Sequence, residues 1–110
     1  MFNESLSYND VLLVPQYSDI KSRKEVDISS NLGQLKFDIP IIASPMDTIS
    51  EGPMAQAMST LGGLSIIHRY NTPEQQAKII KTVTSTIPPA TVGGAIGTSG
   101  DYLERASALV

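Results

Sequence analysis

The stretch FDIPIIASPMDTISE, residues Phe37–Glu51, decides the fold. It contains the short apolar run Ile39–Ala43, which stops abruptly at the polar cluster Ser44–Thr48. A continuous apolar run of this length is typical of a strand that is buried on both faces of a parallel sheet. Ligands of α/β folds bind just beyond the carboxyl ends of such strands. The polar cluster is therefore the first candidate for a functional site.

Three strand–helix units are predicted from this point onward. Apolar side chains at helical spacing predict a first helix with Ser50 as its N-cap, and Gly62-Gly63 ends it. Thr72-Pro73-Glu74-Gln75 predicts a capped second helix, which Pro88-Pro89 ends. The expected apolar faces are Met54, Ala57, Met58 and Leu61 in the first helix, Ala77, Ile80 and Val83 in the second, and Leu103, Ala106 and Leu109 in a third. The second and third strands are expected at 64–67 and 91–97.

A hairpin is predicted ahead of these units. Residues 25–30 and 34–39 alternate polar and apolar side chains, which is the period of a strand with one buried face. Asn31-Leu32-Gly33 supplies turn residues between them. We expect the hairpin at about 25–39 and the first three β/α units at about 39–110.

The fold class is therefore α/β. Three parallel strands bury too little surface to make a comfortable domain, so we expect residues 1–110 to be the amino-terminal part of a single longer domain. The β/α rhythm leaves two continuations open, a doubly wound open sheet and a (β/α)8 barrel.

Composition excludes several classes of function. The 110 residues carry a net charge of −3, which gives no electrostatic basis for binding nucleic acid or an anionic membrane. No apolar run approaches the roughly 18 to 20 residues that span a bilayer. The chain contains no cysteine, so it offers neither a disulfide framework nor a thiol nucleophile. We expect a cytoplasmic protein without a metal site.

Two groups of polar residues follow the first two predicted strands. Ser44, Met46 and Asp47 follow the first, where the alternative to a binding role is that Asp47 assists the helix cap and Met46 fills the core. His68 and Arg69 follow the second, and a lone histidine is more often a structural residue than a catalyst. Both groups are expected at the same edge of the sheet.

A small basic patch, Lys21-Ser22-Arg23-Lys24, lies before the hairpin. An arginine fork beside a serine hydroxyl suits a phosphate group. The alternative is an ordinary solvated loop. The glycines of Gly93–Gly97 do not spell a dinucleotide-binding fingerprint.

Several longer motifs are similar to the IMP dehydrogenase and GMP reductase family. Ser7–Pro15 (SYNDVLLVP) resembles the opening of these enzymes, and Ile39–Thr48 (IPIIASPMDT) resembles their first barrel strand and its loop. Gly62–His68 and Glu74–Ala77 resemble the next unit, and Ala95–Ala106 resembles the strand end and helix after it. The resemblance covers nearly the whole chain in order.

This resemblance implies a (β/α)8 TIM barrel, usually a homo-tetramer, that acts on a purine mononucleotide (IMP, XMP or GMP) with NAD or NADP. It implies a cysteine nucleophile on a later loop, outside this sequence, and a potassium ion in the full-length enzyme. By resemblance, Ser44 and Met46 line the nucleotide pocket, with Asp47 and His68 supporting it. Ser22, Arg23 and Arg69 are expected to hold the cofactor, so no catalytic residue is expected in this chain.

The resemblance does not separate the two enzymes. Ser44-Pro45-Met46-Asp47 is similar to the dehydrogenase, whereas Lys21–Asp27 and Arg69 look like the reductase. The connection Thr84–Ala90 is too short for the regulatory CBS modules of most dehydrogenases. We expect a dehydrogenase that converts IMP, NAD and water to XMP and NADH, with a GMP reductase as the alternative. A non-catalytic interaction module is the alternative of another class.

Overall fold

The computed structural model describes residues 4–110. Its strands are β1 Ser30–Leu32, β2 Leu35–Phe37, β3 Ile42–Ala43, β4 Leu64–Ile67 and β5 Val92–Gly94. Its α-helices are α1 Gly52–Thr60, α2 Pro73–Thr86 and α3 Tyr102–Leu109, and two 3-10 turns cover Tyr8–Asp10 and Arg23–Glu25. The structure is thus of mixed α/β type, as the sequence predicts. None of the helices in the described residues is long and apolar enough to cross a bilayer.

Strands β3, β4 and β5 form a parallel sheet in their order along the chain. The three helices cover one face of it. Ala55 of α1, Ile67 of β4 and Val83 of α2 share one buried core. A Cβ at Gly94 of β5 would meet side chains of both α2 and α3. The opposite face of the sheet carries no helix within residues 4–110.

The predicted burial of the first strand on both faces is wrong for the described chain. The strand is two residues long and begins at Ile42, not at Ile39, and Ile42 is 48% exposed. The physical reason is that β3 is an edge strand, and within residues 4–110 no helix covers the face of the sheet opposite the helices.

The hairpin forms, but it is shorter than predicted. Strand β1 pairs antiparallel with β2 with Leu32 opposite Leu35, so Asn31 and Leu32 belong to the strand and not to the turn. Gly33 begins the two-residue turn with a φ of +60°, a value that favours glycine. Residues 26–29 do not form a strand.

The local sequence signals for a helix predicted α2 correctly. The Thr72 hydroxyl accepts a hydrogen bond from the Gln75 N–H (3.2 Å), and the Gln75 side chain accepts one from the Thr72 N–H (3.0 Å). This reciprocal capping box with Pro73 in the first turn is what the sequence predicts.

Helices α1 and α3 differ from their predicted faces. The N-cap of α1 is Glu51 and not Ser50, and Ala55 and Met58 are buried whereas Ala57 and Leu61 are exposed. In α3, Leu103 is exposed and Arg105 is buried. In each helix a buried residue lies two positions from an expected one, so the side that faces the core differs from the predicted side.

Gly62 connects α1 to β4 in a conformation that only glycine tolerates well. Its φ is +77°, and a Cβ there would lie 2.5 Å from a carboxylate oxygen of Asp38. The sequence predicts the positive φ from the Gly62-Gly63 pair, whereas the close approach of Asp38 appears only in three dimensions.

The amino-terminal segment carries one capped turn. The Ser7 N–H and hydroxyl each donate to the Asp10 carboxylate at 2.8 Å. The backbone bond and then the hydroxyl bond from Ser7 lower the pKa of Asp10 below its usual 3.8. Beyond this turn, Leu12 and Leu13 are almost fully exposed.

Candidate functional site

The loops that follow the three parallel strands meet at one edge of the sheet. The His68 N–H, just after β4, donates to the Ser50 carbonyl in the loop after β3 (3.4 Å). The Ala95 N–H, just after β5, donates to the Ile67 carbonyl at the end of β4 (2.9 Å). Parallel strands place their carboxyl ends together, and this edge is where α/β folds bind ligands.

The loop after β3 is held by Ser50. This residue is buried, and its hydroxyl donates to the Ser44 carbonyl while its N–H donates to the Met46 carbonyl (2.9 Å). Thr48 lies inside the loop with a φ of +62°, a region that costs energy for a β-branched residue. Fixed interactions on both sides of Thr48 therefore hold a strained loop in one shape.

The side chains of Ser44 and Met46 remain exposed on this fixed loop. The Ser44 hydroxyl makes no hydrogen bond within residues 4–110, and the Met46 side chain is half exposed. A hydroxyl can donate to or accept from a ligand, and a polarisable thioether packs well against a planar ring. The two predicted substrate residues are thus available at the edge where a ligand would bind.

His68 lies behind this loop and is 2% exposed. Its Nδ1 accepts a hydrogen bond from the Tyr70 N–H (3.1 Å), and its Nε2 lies 3.1 Å from a carboxylate oxygen of Glu51. Because a backbone N–H can only donate, Nδ1 is the acceptor and Nε2 carries the proton that points to Glu51. His68 therefore links Glu51, the residue just before α1, to the end of β4.

Asp47 makes a weaker contact than its predicted supporting role suggests. Its carboxylate lies 4.0 Å from His68 Nε2 and is largely exposed, whereas Ser50 and Glu51 make the shorter contacts in the same loop. Asp47, Glu51, His68 and Tyr70 line an open cleft of about 390 Å³ that Ser44 and Met46 do not line. The two predicted support residues, Asp47 and His68, thus line one cleft together.

The predicted cofactor residues occupy two places. Arg69 is exposed, and its Nη1 lies 3.6 Å from the position that a Cβ of Gly97 would take, so it lies over the loop after β5. Ser22 caps a 3-10 turn by accepting from the Lys24 N–H (3.3 Å), and Arg23 is exposed beside it. Within residues 4–110, no hydrogen bond or ion pair joins Ser22 or Arg23 to the strand-end loops.

Comparison with known proteins identifies one family for this chain. The family described as "IMP dehydrogenase / GMP reductase domain" matches residues 5–110. The chain belongs to this family. Within it, an inosine-5'-monophosphate dehydrogenase of Nitrosopumilus maritimus is 45% identical over 74% of this chain and 17% of its own length. One of Methanocaldococcus jannaschii is 38% identical over 90% of the chain and 22% of its own length.

The relatives that match this chain include both IMP dehydrogenases and GMP reductases. A GMP reductase of Leishmania donovani is 43% identical over 73% of the chain and 16% of its own length. The chain thus spans about a fifth of the length of these curated relatives.

Sequence reasoning missed a polar cluster in this family member, formed by the buried Gln76 and Arg105 together with Asn71 and Asp101. Gln76 is fully buried and Arg105 is 3% exposed. One signal could have found Gln76, because it lies four and seven residues before Ile80 and Val83 on the apolar face of α2. The spacing of Asp101 and Arg105 is also that of an ion pair on one helix face.

Metal ions in proteins are usually bound by clusters of side chains. Residues 4–110 contain no group of three or more histidine, cysteine, aspartate or glutamate side chains that could hold an ion.

Proposed function

We propose that this chain forms part of a purine-nucleotide oxidoreductase that oxidises IMP with NAD. The observation that carries the proposal is the exposed Ser44–Met46 loop, held in one shape by Ser50 at the carboxyl edge of the sheet. Two dehydrogenase relatives, at 38% and 45% identity, support this choice.

We infer that the complete fold is a (β/α)8 barrel, with residues 1–110 contributing the hairpin and the first three β/α units. The strands follow one another in chain order, and consecutive helices pack side by side on one face. A doubly wound sheet would instead reverse its strand order and place helices on both faces. The uncovered face of β3–β5 is then the inner wall of the barrel.

The site residues of this proposal have distinct tasks. The Ser44 hydroxyl hydrogen-bonds the nucleotide, and Met46 packs against the purine ring. The guanidinium groups of Arg69 and Arg23 are exposed and make no ion pair among residues 4–110, so both can pair with phosphate groups of a dinucleotide. A bound nicotinamide ring supplies the hydride acceptor for oxidation at the purine C2.

A GMP reductase is the second candidate. The stretch Lys21–Asp27 favours it, since an exposed Arg23 beside the capped turn at Ser22 suits the extra phosphate of NADP. A reductase relative at 43% identity adds support. In either enzyme the thiolate that attacks C2 comes from sequence other than residues 1–110, which contain no cysteine.

The deciding experiment is turnover by the full-length protein with two substrate pairs, IMP with NAD and GMP with NADPH. Formation of NADH from the first pair is expected. Activity with the second pair alone would replace the dehydrogenase by the reductase. Activity with neither pair would contradict the oxidoreductase and favour the non-catalytic interaction module.

A variant pair tests the role of the loop. Ser44→Ala is expected to raise KM for the purine nucleotide by about tenfold, since it removes a hydrogen bond to a charged or polar ligand. Ser107→Ala, an exposed serine on α3, is the matched control and should leave KM unchanged. Equal KM values in both variants would remove Ser44 from the site.

A further inference from the structure

Gln76 joins the ends of two neighbouring strands. From helix α2 its Nε2 donates to the Ile67 carbonyl at the end of β4 (3.1 Å) and to the Ala95 carbonyl just after β5 (3.0 Å). The same Ile67 carbonyl also accepts from the Ala95 N–H. Both protons of one fully buried amide are thus used to hold the start of the β4–α2 and β5–α3 loops at a fixed separation.

Arg105 extends this arrangement into both loops. From helix α3 its Nη1 donates to Gln76 Oε1 (3.1 Å) and to Asn71 Oδ1 (3.2 Å). Its Nη2 donates to the Asn71 carbonyl in the first loop and to an Asp101 carboxylate oxygen at the end of the second, both at 2.7 Å. A planar fork can serve four acceptors at once, whereas an ammonium group cannot reproduce that geometry.

Arg105 reinforces the orientation of the Gln76 amide. If the amide were turned over, its oxygen would face two carbonyl oxygens and its NH2 group would face the guanidinium. Both contacts would be repulsive, so Arg105 and the two carbonyls favour the same orientation of the Gln76 amide. The Arg105 Nε–H has no partner among residues 4–110, so the four Nη bonds compensate its burial.

The two loops that this cluster joins carry Arg69 and Gly97, and a Cβ added at Gly97 would lie 3.6 Å from Arg69 Nη1. Arg69 is two residues after Ile67, and Gly97 is two residues after Ala95. Arg69 itself is exposed, and its backbone is held through its neighbours, by the His68 N–H bond to the Ser50 carbonyl on one side and by the Asn71 bonds to Arg105 on the other. The position of Arg69 therefore depends on the cluster on its Asn71 side as well as on His68.

We propose that Arg105 is a positioning residue that acts through Gln76 and Asn71 to hold Arg69 over the Gly97 loop. There Arg69 receives the phosphate of the dinucleotide cofactor. This inference rests on the proposed function and deepens it, because it assigns cofactor affinity to a buried residue that touches no ligand.

The test compares Arg105→Met and Arg105→Lys in the full-length protein, with Lys81→Met as a control for the exposed surface of α2. Arg105→Met is expected to raise KM for the nicotinamide cofactor by about tenfold, the effect of losing a charge-assisted contact. The KM for the purine nucleotide should stay within about twofold, because Ser50 holds its loop independently. Arg105→Lys should recover part of the loss, since its ammonium can still reach Asp101.

Coupling to Arg69 separates positioning from a general structural role. Arg69→Ala is expected to raise the cofactor KM by about tenfold in the wild-type background and by less than about twofold beside Arg105→Met. Full additivity, or an unchanged cofactor KM in Arg105→Met and Arg105→Lys, would overturn the proposal.

Amide hydrogen exchange tests the cluster without relying on turnover. Arg105→Lys should speed exchange in residues 68–71 and 95–101 together, while Lys81→Met leaves both segments unchanged. Unchanged exchange in Arg105→Lys would refute the cluster as a positioning device. If the variants show the expected exchange but the wild-type protein turns over neither substrate pair, the proposed function is refuted and the cluster is not.

Discussion

Two buried serines should respond to the same substitution with opposite signs. Ser50 and Ser65 are 1% and 0% exposed. The Ser50 hydroxyl donates to the Ser44 carbonyl, whereas the Ser65 hydroxyl finds no partner among residues 4–110. Ser65 lies in the central strand, beside Ala43 on one side and Val92 on the other. We therefore expect Ser50→Ala to lower the free energy of unfolding and Ser65→Ala to raise it.

The expected magnitudes follow from the partners. Ser50→Ala loses one hydrogen bond whose net contribution is about 1 kcal/mol, and water can reach the Ser44 carbonyl that is left. Ser65→Ala removes a hydroxyl that is buried without compensation, which gains about 1 kcal/mol on scales derived from protein variants. The two variants should differ by about 2 kcal/mol, or about 30-fold in the equilibrium constant of unfolding.

Urea-induced unfolding, followed by far-UV circular dichroism, measures the difference. Equal slopes against urea would show that the variants change stability and not the surface exposed on unfolding. Destabilisation of similar size by both substitutions would refute the reasoning, because it would mean that the Ser65 hydroxyl has a partner that compensates its burial.

Three further outcomes are expected. Gly62→Ala should destabilise the fold by at least about 1 kcal/mol in urea unfolding, and by more than Gly33→Ala. Both glycines have a positive φ, but of the two only Gly62 is crowded by a carboxylate. The pKa of Asp10, measured by carboxyl NMR, should lie below 3.8, and Ser7→Ala should raise it. The turn is therefore stabilised at pH values above the unfolded pKa and loses that stabilisation as the pH falls through the folded pKa. Arg23→Ala should raise KM for the cofactor by about tenfold with little change for the purine nucleotide, and an unchanged cofactor KM would identify the basic patch as solvated surface.

Local chemistry made α2 and β4 predictable. The capping box of Thr72 and Gln75 satisfies backbone groups within one turn. The strand at 64–67 is a mainly apolar run bounded by glycine and a polar turn. Such signals depend on neighbours along the chain, so they can be interpreted without knowledge of the rest of the fold. The motif-based assignment to the family was confirmed for the same reason, since it depends on the order of residues alone.

Which side of a short helix faces the core was not predictable in the same way. The first helix buries Ala55 where Ala57 was expected, and the third buries Arg105 where Leu103 was expected. A pattern of apolar residues favours burial, but Arg105 is buried because four acceptors from two loops and a neighbouring helix converge on it.

The sequence by itself determined the α/β class, the order of strands and helices, the family, and the polar loop at Ser44–Met46. Only the tertiary structure decided that Ser50 fastens that loop, that His68 turns toward Glu51, and that Gln76 and Arg105 join two strand ends. The physical reason is that hydrogen bonds between residues 6 to 34 positions apart leave no regular pattern in the sequence. Their partners become neighbours only when parallel strands bring their carboxyl ends to one edge.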